Sequence, residues 1–353
     1  MSKLKTIQSG TTTLTTAQSA NTASITAVDL SKSFLVFSYK GSSGNDDDAG
    51  LGQIRGKLTS TTQITFTRFW PGGSSSFTIE WRVIEFTSGV SVQRGTYGNV
   101  SGTVNVAISS VNTAKSFAIV TESGSYTHGV SAQGVNRARI TSSTNLELYA
   151  GLTGAWNTQT EWQVVEWDTA TVASYVKTLA SGSATDSQTI TSVGMSGSFL
   201  VGSWTSDQGD SIMQPDEWWA YRLTAATTLS YERGSTATGA WYSSVFVVSA
   251  PEIAASRYAT AFTNAETAKT QAVSVSSLTG AFTITSGFNN MTSNISPDGQ
   301  TYSYGAYTFT KLDSVSQASI ERQGTNGYAA TAWWELVDLT ARRHGNFFSF
   351  FGQ

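Results

Sequence analysis

The chain has 353 residues, of which 39% are hydrophobic, 12% aromatic and 13% charged, and its formal net charge is −3. This composition excludes a disordered chain, because disorder combines low hydrophobicity with high net charge. The slightly acidic balance argues against nucleic-acid binding, which depends on cationic contacts with phosphates, and no apolar run reaches the roughly 18 residues of a membrane span.

The predicted strands of the first repeat follow one another at short intervals. Ser24–Val28 alternates between polar and apolar residues, and Phe34–Tyr39 is a short, mostly apolar run. Gln53–Leu58 and Gln63–Arg68 flank a Thr-rich turn and predict a hairpin, and Phe77–Phe86 predicts a long closing strand. Short strands at regular spacing, with turn residues between them, indicate an antiparallel β-sandwich.

This pattern of strands recurs three more times along the chain. The phenylalanine that opens the second strand returns with spacings of 83, 82 and 83 residues, at Phe34, Phe117, Phe199 and Phe282. The Thr-rich turn segment and the closing strand keep the same order in each copy. We therefore predict an all-β fold of four tandem antiparallel β-sandwich repeats of about 83 residues, at 6–90, 91–174, 175–256 and 257–341, followed by a short aromatic tail at 342–353.

The closing strand is apolar on both faces. Because side chains alternate along a strand, Trp81 and Val83 share one face, while Ile84 and Phe86 share the other. One face is expected to cover the core of its own sandwich. The other face is expected to be covered by a neighbouring repeat or by another chain.

The residue pattern favours a non-enzymatic protein without a cofactor. The chain has only two histidines, which lie far apart, and the carboxylate pair of Glu80 and Glu85 recurs as Glu161 and Glu166. A glycosidase needs two carboxylates that face each other across the substrate. Residues five apart on a strand point to opposite faces, so these pairs argue against that chemistry. We expect no catalytic residues.

The sequence also contains no cysteine and no signal peptide. The absence of cysteine excludes disulfides and thiol chemistry. Residues 1–6 include two lysines, but no apolar stretch follows them, so we expect synthesis in a cytosol. The one acidic cluster, Asn45–Asp48, is expected to be a solvated loop, with a bound cation as the alternative. We assign no metal ligands.

Aromatic residues are the candidate contact residues. One aromatic side chain precedes the closing strand in each repeat, at Trp70, Trp156, Trp241 and Tyr328. Such rings can anchor a protein interface or stack on a sugar, or they can close their own sandwich as a lid. The tail adds four phenylalanines, Phe347, Phe348, Phe350 and Phe351, which need a surface on which to be buried. We expect them to dock on a neighbouring subunit, with packing on the last repeat as the alternative.

Several of these segments resemble a family of tandem-repeat β-sandwich proteins of tailed bacteriophages. The segments are Ile7–Thr11, Asp29–Phe34, Leu58–Ile64 and Trp162–Trp167. The resemblance implies a virion component, such as a capsid decoration, tail or fibre protein, that is made in the host cytoplasm and binds other virion proteins. Symmetric homo-oligomers are the default for such assemblies. The alternative function is a carbohydrate-binding adhesin that recognises host-surface glycans through its loop aromatics.

Overall fold

A computed structural model describes residues 3–42, 53–69, 76–124, 136–151, 159–207, 219–234, 239–289, 308–322 and 329–340. These residues form 24 β-strands and short 3-10 turns, and within them there is no α-helix. The predicted all-β class is therefore confirmed. A search of the same residues finds no helix that is long and apolar enough to cross a membrane.

The first six strands form two three-stranded antiparallel sheets, which we call unit 1. The strands are β1 (Lys3–Leu14), β2 (Ala20–Ser24), β3 (Ser33–Gly41), β4 (Arg55–Ser60), β5 (Gln63–Thr67) and β6 (Phe77–Ser88). One sheet has the order β1-β6-β3 and the other has the order β2-β5-β4. Short antiparallel sheets of this kind become stable by packing their apolar faces together as a sandwich.

Three more sets of six strands repeat this pairing, and we call them units 2, 3 and 4. Unit 2 comprises β7 (Val90–Gly98), β8 (Gly102–Ala107), β9 (Ser116–Ser123), β10 (Arg137–Ser142), β11 (Asn145–Ala150) and β12 (Gln159–Trp167). Unit 3 comprises β13 (Thr171–Leu179), β14 (Thr185–Thr189), β15 (Ser198–Ser206), β16 (Trp219–Ala225), β17 (Thr228–Arg233) and β18 (Trp241–Ser249). Unit 4 comprises β19 (Ala254–Phe262), β20 (Ala268–Ala272), β21 (Ala281–Asn289), β22 (Thr308–Ser314), β23 (Gln317–Arg322) and β24 (Ala330–Asp338). The domain boundaries drawn from the sequence stay a prediction, because strand pairing alone does not delimit domains.

The strands of unit 1 agree with the sequence patterns in part. The hairpin formed by β4 and β5 and the long closing strand β6 lie where they were predicted. The predicted strand at Ser24–Val28 is wrong in position, because β2 ends at Ser24. Ile25 and Val28 instead donate backbone hydrogen bonds to the turn between β4 and β5, at 2.9 Å each. The alternation of residues 24–28 therefore belongs to an extended segment beside that turn.

The two faces of the closing strand pack in different places. Trp81 and Val83 lie in the core of the unit 1 sandwich, together with Ile64 and Phe66. The opposite face of β6 enters a central core to which all four units contribute. The neighbouring units therefore provide the second cover, which resolves the choice that the sequence left open.

Four phenylalanines form a chain of aromatic contacts through this central core. Phe34, Phe117, Phe199 and Phe282 are each at most 1% exposed. The ring centroids are 6.0, 6.0 and 5.8 Å apart along the series, and the rings meet edge to face. This geometry is favourable for aromatic pairs. Equivalent residues of the four units thus occupy one shared environment.

Each unit packs on the next through the same pair of strands. The fourth strand of one unit contacts the third strand of the following unit, as β4 on β9 and β10 on β15. Between units 3 and 4 the corresponding strands β16 and β21 also pair at Ala220 and Gly287, which joins their sheets into one six-stranded sheet. A hydroxyl four residues after the central phenylalanine accepts a backbone N–H from the preceding unit at two of these junctions. Thr121 accepts from Gly56 at 3.2 Å, and Ser203 accepts from Ala138 at 2.8 Å.

Unit 4 makes the same contact with unit 1, which closes the array into a ring. Strand β22 packs on β3, and Ser38 accepts a hydrogen bond from the Thr310 backbone N–H at 2.9 Å. Lys40 forms an ion pair with Glu321, and the Ile7 N–H donates to the Thr279 carbonyl at 2.9 Å. A head-to-tail interface forms a ring when its rotation closes. The same contact also covers strand edges that would otherwise invite aggregation.

Candidate interaction surface

The longest connections of each unit start from one end of its sandwich. In unit 1, β3 ends at Gly41 and β5 ends at Thr67. Strand β4 begins at Arg55, which pairs with Thr67. The two sheets meet at this end, where the Ile54 N–H donates to the Tyr39 hydroxyl at 3.3 Å. Because the units repeat one packing contact around a closed ring, the corresponding ends of all four units lie on one side.

We call this side the loop-bearing face and define it by the last residues of four strands. These residues are Gly41 of β3, Ser123 of β9, Ser206 of β15 and Asn289 of β21. Segments 43–52, 125–135, 208–218 and 290–307 connect to the next strands from this face, and they lie outside the described residues. The face is the part of the ring on which connections of one type are repeated four times.

Most predicted contact residues lie outside the described residues. These are Trp70, Trp156, Tyr328, Phe347, Phe348, Phe350 and Phe351. The acidic cluster Asn45–Asp48 and both histidines also lie outside them. Their roles stay predictions.

The prediction of Trp241 as a contact residue is wrong. Trp241 is the first residue of β18 and is 0% exposed. Its ring is parallel to the ring of Trp219 at 5.6 Å and lies 4.3 Å from the ring of Trp204. It belongs to the sandwich core of unit 3, because the closing strand begins at this residue and directs its side chain inward. The neighbouring Trp219 is also buried.

The recurring carboxylate pairs have structural partners. Glu80 accepts a hydrogen bond from the Thr11 hydroxyl at 2.8 Å and pairs with Arg82. Glu85 instead pairs with Lys5 at 3.0 Å and accepts the Asp29 backbone N–H at 2.8 Å. Each carboxylate therefore has a different set of partners, which matches the opposite directions expected from their spacing.

The second pair repeats this arrangement in unit 2. Glu161 accepts from the Thr96 hydroxyl at 2.6 Å and pairs with Arg55 of unit 1 at 2.7 Å. Glu166 accepts the Asn112 backbone N–H at 2.9 Å. The equivalent Asp338 accepts the Ser276 N–H in unit 4 at 2.7 Å. The last carboxylate of the closing strand thus holds the segment before the third strand.

Two described acidic residues adjoin the strand ends that define the loop-bearing face, Asp207 after β15 and Glu122 in β9. Asp207 accepts the Ala240 backbone N–H at 2.7 Å and the Tyr242 hydroxyl at 3.1 Å, so both of its oxygens have protein donors. Burial, followed by this hydrogen bond to Asp207, raises the pKa of Tyr242 to about 12. Among the residues that the structure describes, no group of three or more His, Cys, Asp or Glu is placed to hold a metal ion.

Glu122 is the second of these residues, and it has a different environment. Its Oε2 atom is buried without a hydrogen-bond partner, and Oε1 accepts only the Asn136 N–H, at 3.3 Å. Burial raises the pKa of Glu122 to about 8, although the Asn136 hydrogen bond acts in the opposite direction. A carboxyl group in this environment is protonated at neutral pH.

Glu122→Gln is expected to stabilise the protein at high pH and to have little effect at low pH. The ordinary pKa of 4.5 applies in the unfolded chain, so the folded state retains a proton that the unfolded state releases between pH 4.5 and about 8. Stability therefore falls as pH rises through that window. At pH 9 we expect the free energy of unfolding of the variant to exceed that of the parent by about 1–3 kcal/mol. Urea denaturation measures this difference.

The control for this effect is Glu266→Gln, which removes an exposed carboxylate. Hydrogen bonds from Thr263 and Lys269 lower the pKa of Glu266 to about 2, so its loss has the opposite dependence on pH. Equal stability of the Glu122→Gln variant and the parent across pH 5–9 would contradict the assignment.

Comparison of the chain with protein-family models and with curated proteins gives no match.

Proposed function

We propose that this chain is a non-enzymatic structural protein of a bacteriophage virion, which acts through protein–protein contacts. The observation that supports the proposal best is the closed ring, on which the loop-bearing face repeats one type of connection four times. A surface with repeated elements can engage several sites of an assembly at once, which increases avidity without new types of contact. The resemblance of Ile7–Thr11 and Trp162–Trp167 to phage sandwich repeats is the support for proposing a virion as the assembly.

The chemistry of the described residues also favours a contact role. Glu80, Glu85 and Glu161 have protein partners that hold strands or units together. A carboxylate whose lone pairs are already used in this way is a poor acid or base for a substrate. The carbohydrate-binding alternative now depends on Trp70, Trp156 and Tyr328, since Trp241 is buried.

The experiment is quantitative mass spectrometry of gradient-purified particles of the phage that encodes the chain. We expect the full chain to be present at a fixed copy number per particle. The variant that ends at residue 341 retains every described residue but lacks the aromatic tail. We expect its copy number to fall at least about tenfold while its circular dichroism spectrum is unchanged. Absence of the full chain from the particles would overturn the proposal.

A further inference from the structure

A cavity of about 250 Å³ lies at the junction between units 1 and 2. Residues 56–59 of β4 form one wall, and residues 94–96 of β7 and 161–163 of β12 form the other. The lining combines charged and hydroxyl side chains with Leu58 and the indole of Trp162. Ligand sites typically combine an apolar lining with a few polar groups in this way, although most are larger.

The carboxylate of Glu161 and the side-chain amide of Gln163 in this cavity already have hydrogen-bonding partners. Glu161 is 6% exposed, and its carboxylate binds Arg55 at 2.7 Å, Lys57 at 3.2 Å and the Thr96 hydroxyl at 2.6 Å. The side-chain amide of Gln163 accepts from the Leu35 N–H and donates to the Leu35 carbonyl, both at 2.9 Å. The charged groups left to meet a ligand are therefore cationic.

Arg94 is a cavity cation that forms no ion pair with any residue that the structure describes. Its Nη2 donates to the Ser33 carbonyl at 2.6 Å, and its Nε is buried without a hydrogen bond. Burial lowers the pKa of Arg94, and Asp29 opposes that shift only in part. Asp29 itself pairs with Lys32 at 3.0 Å.

The junction between units 3 and 4 shows what Arg94 lacks. The equivalent residue there, Arg257, donates to the Ser198 carbonyl at 2.6 Å, as Arg94 does to Ser33. The Nε of Arg257 is also buried without a well-oriented hydrogen bond, but it lies 2.8 Å from the carboxylate of Glu335. The position of Glu335 is occupied in unit 2 by the neutral Gln163. A carboxyl group present at one junction is therefore replaced by an amide at the other, and the cavity adjoins that amide.

We propose that the cavity between units 1 and 2 binds a small molecule that carries a carboxylate or phosphate group, and that this group contacts Arg94 and Lys57. Lys57 and Arg94 line the cavity with one carboxylate, that of Glu161, and this carboxylate also pairs with Arg55. The site therefore has an excess of positive charge. Arginine matches the geometry of both anionic groups. Lys57 is 40% exposed and lies at the edge of the site, where it can reach an entering anion. The small volume favours a sugar acid or a free phosphate over a nucleotide.

The test is isothermal titration calorimetry of the full chain at low ionic strength with D-glucuronate, inorganic phosphate and D-glucose. We expect saturable binding of one anion per chain and no binding of the neutral sugar. The glucuronate and phosphate titrations separate the two sources of negative charge. Arg94→Gln and Lys57→Gln are each expected to weaken binding about tenfold or more. Lys311→Gln, at the position of Lys57 in unit 4, is expected to leave the affinity unchanged.

Three results would overturn this inference. The first is no binding of either anion at millimolar concentration. The second is binding of glucose with the same affinity as the anions. The third is an unchanged affinity for the anion in both cavity variants. Because Arg94 also contacts Ser33, the fold of Arg94→Gln is checked by thermal unfolding. If that variant does not fold, Lys57→Gln decides the result, because its exposed side chain is dispensable for packing. None of these outcomes depends on whether the chain is a virion protein.

Discussion

Phe117→Ala is expected to lower the free energy of unfolding by about 3–5 kcal/mol, the usual cost of removing a buried aromatic ring. The ring is 0% exposed and meets Phe34 and Phe199, with both centroids 6.0 Å away. Its removal leaves a void at the point where units 1, 2 and 3 meet. The cost is therefore high, because three sandwiches have to shift to fill the space.

The effect of Phe117→Ala is measured by equilibrium denaturation in guanidinium chloride. Val315→Ala is the matched control, since Val315 is 47% exposed and its truncation is expected to change stability by about 0.5 kcal/mol or less. A double-mutant cycle with Phe199→Ala is expected to give a coupling of about 0.5–1.5 kcal/mol. A loss below about 1 kcal/mol for Phe117→Ala would contradict the shared central core.

A disulfide between units 4 and 1 is expected to stabilise the protein by up to about 5 kcal/mol. The hydroxyl oxygens of Ser38 and Thr310 are 3.5 Å apart, although the two residues are separated by 272 positions in the chain. In the double variant Ser38→Cys, Thr310→Cys, the bond would close a very long loop, and the loss of unfolded-state entropy grows with loop length. Strain in the folded state reduces this gain, so the stated value is an upper limit.

This gain in stability is measured as the difference in denaturation midpoint with and without a reducing agent. The two single-cysteine variants are the controls, because each loses one hydroxyl but cannot form an internal disulfide. A double variant whose midpoint does not respond to the reducing agent would show that the bond does not constrain the unfolded chain.

The sequence predicts the fold class and much of unit 1 because those features follow from local periodicity. Two-residue alternation predicts that β6 is covered on both faces, and residues of the other units supply the second cover. The hairpin at 55–67 follows from a Thr-rich turn between two strand-forming runs. The same reasoning assigns Glu80 and Glu85 to different environments, as the structure shows.

Ring closure could not be predicted in this way, because small hydroxyl residues make the contact. Ser38, Thr121 and Ser203 recur at one position, four residues after the central phenylalanines. Serine and threonine are common in exposed strands and turns, so their side chains carry no signal for an interface. Only the positions of the strands in space show that unit 4 lies against unit 1.

A set of buried arginines was missed although the sequence contains a signal for it. They lie at the end of the fifth strand of units 1, 3 and 4 and are at most 2% exposed: Arg68, Arg233 and Arg322. Arg68 donates to the carbonyls of Thr15, Thr16 and Gln18, in the turn between the first two strands. Recurrence of a charged residue at one repeat position predicts such a structural role.

Unit 2 lacks this arginine and has a shorter turn. Ala150 occupies the arginine position, because it lies four residues after Leu146 just as Arg68 lies four residues after Ile64. The turn between β7 and β8 has only residues 99–101 between the strands, against residues 15–19 in unit 1. The shorter turn offers fewer carbonyls to bind, so arginine and turn length change together.

The prediction of Trp241 failed because a strand boundary decided its role. Three of the four aromatic positions lie outside the described residues, whereas Trp241 already belongs to β18. An aromatic side chain two or three residues before a strand and one at its first position look alike in sequence. For Trp241 the strand decides the outcome, because it fixes the direction of the side chain toward the core.

The most direct test of the closed ring is to identify the disulfide formed by Ser38→Cys, Thr310→Cys on mild oxidation. The natural chain has no cysteine, so any disulfide must come from the two introduced residues. Peptide mapping by mass spectrometry of the purified monomer is expected to find residues 38 and 310 joined within one chain in nearly every molecule. Two free thiols in the oxidised monomer, or disulfides only between different chains, would show that unit 4 does not meet unit 1.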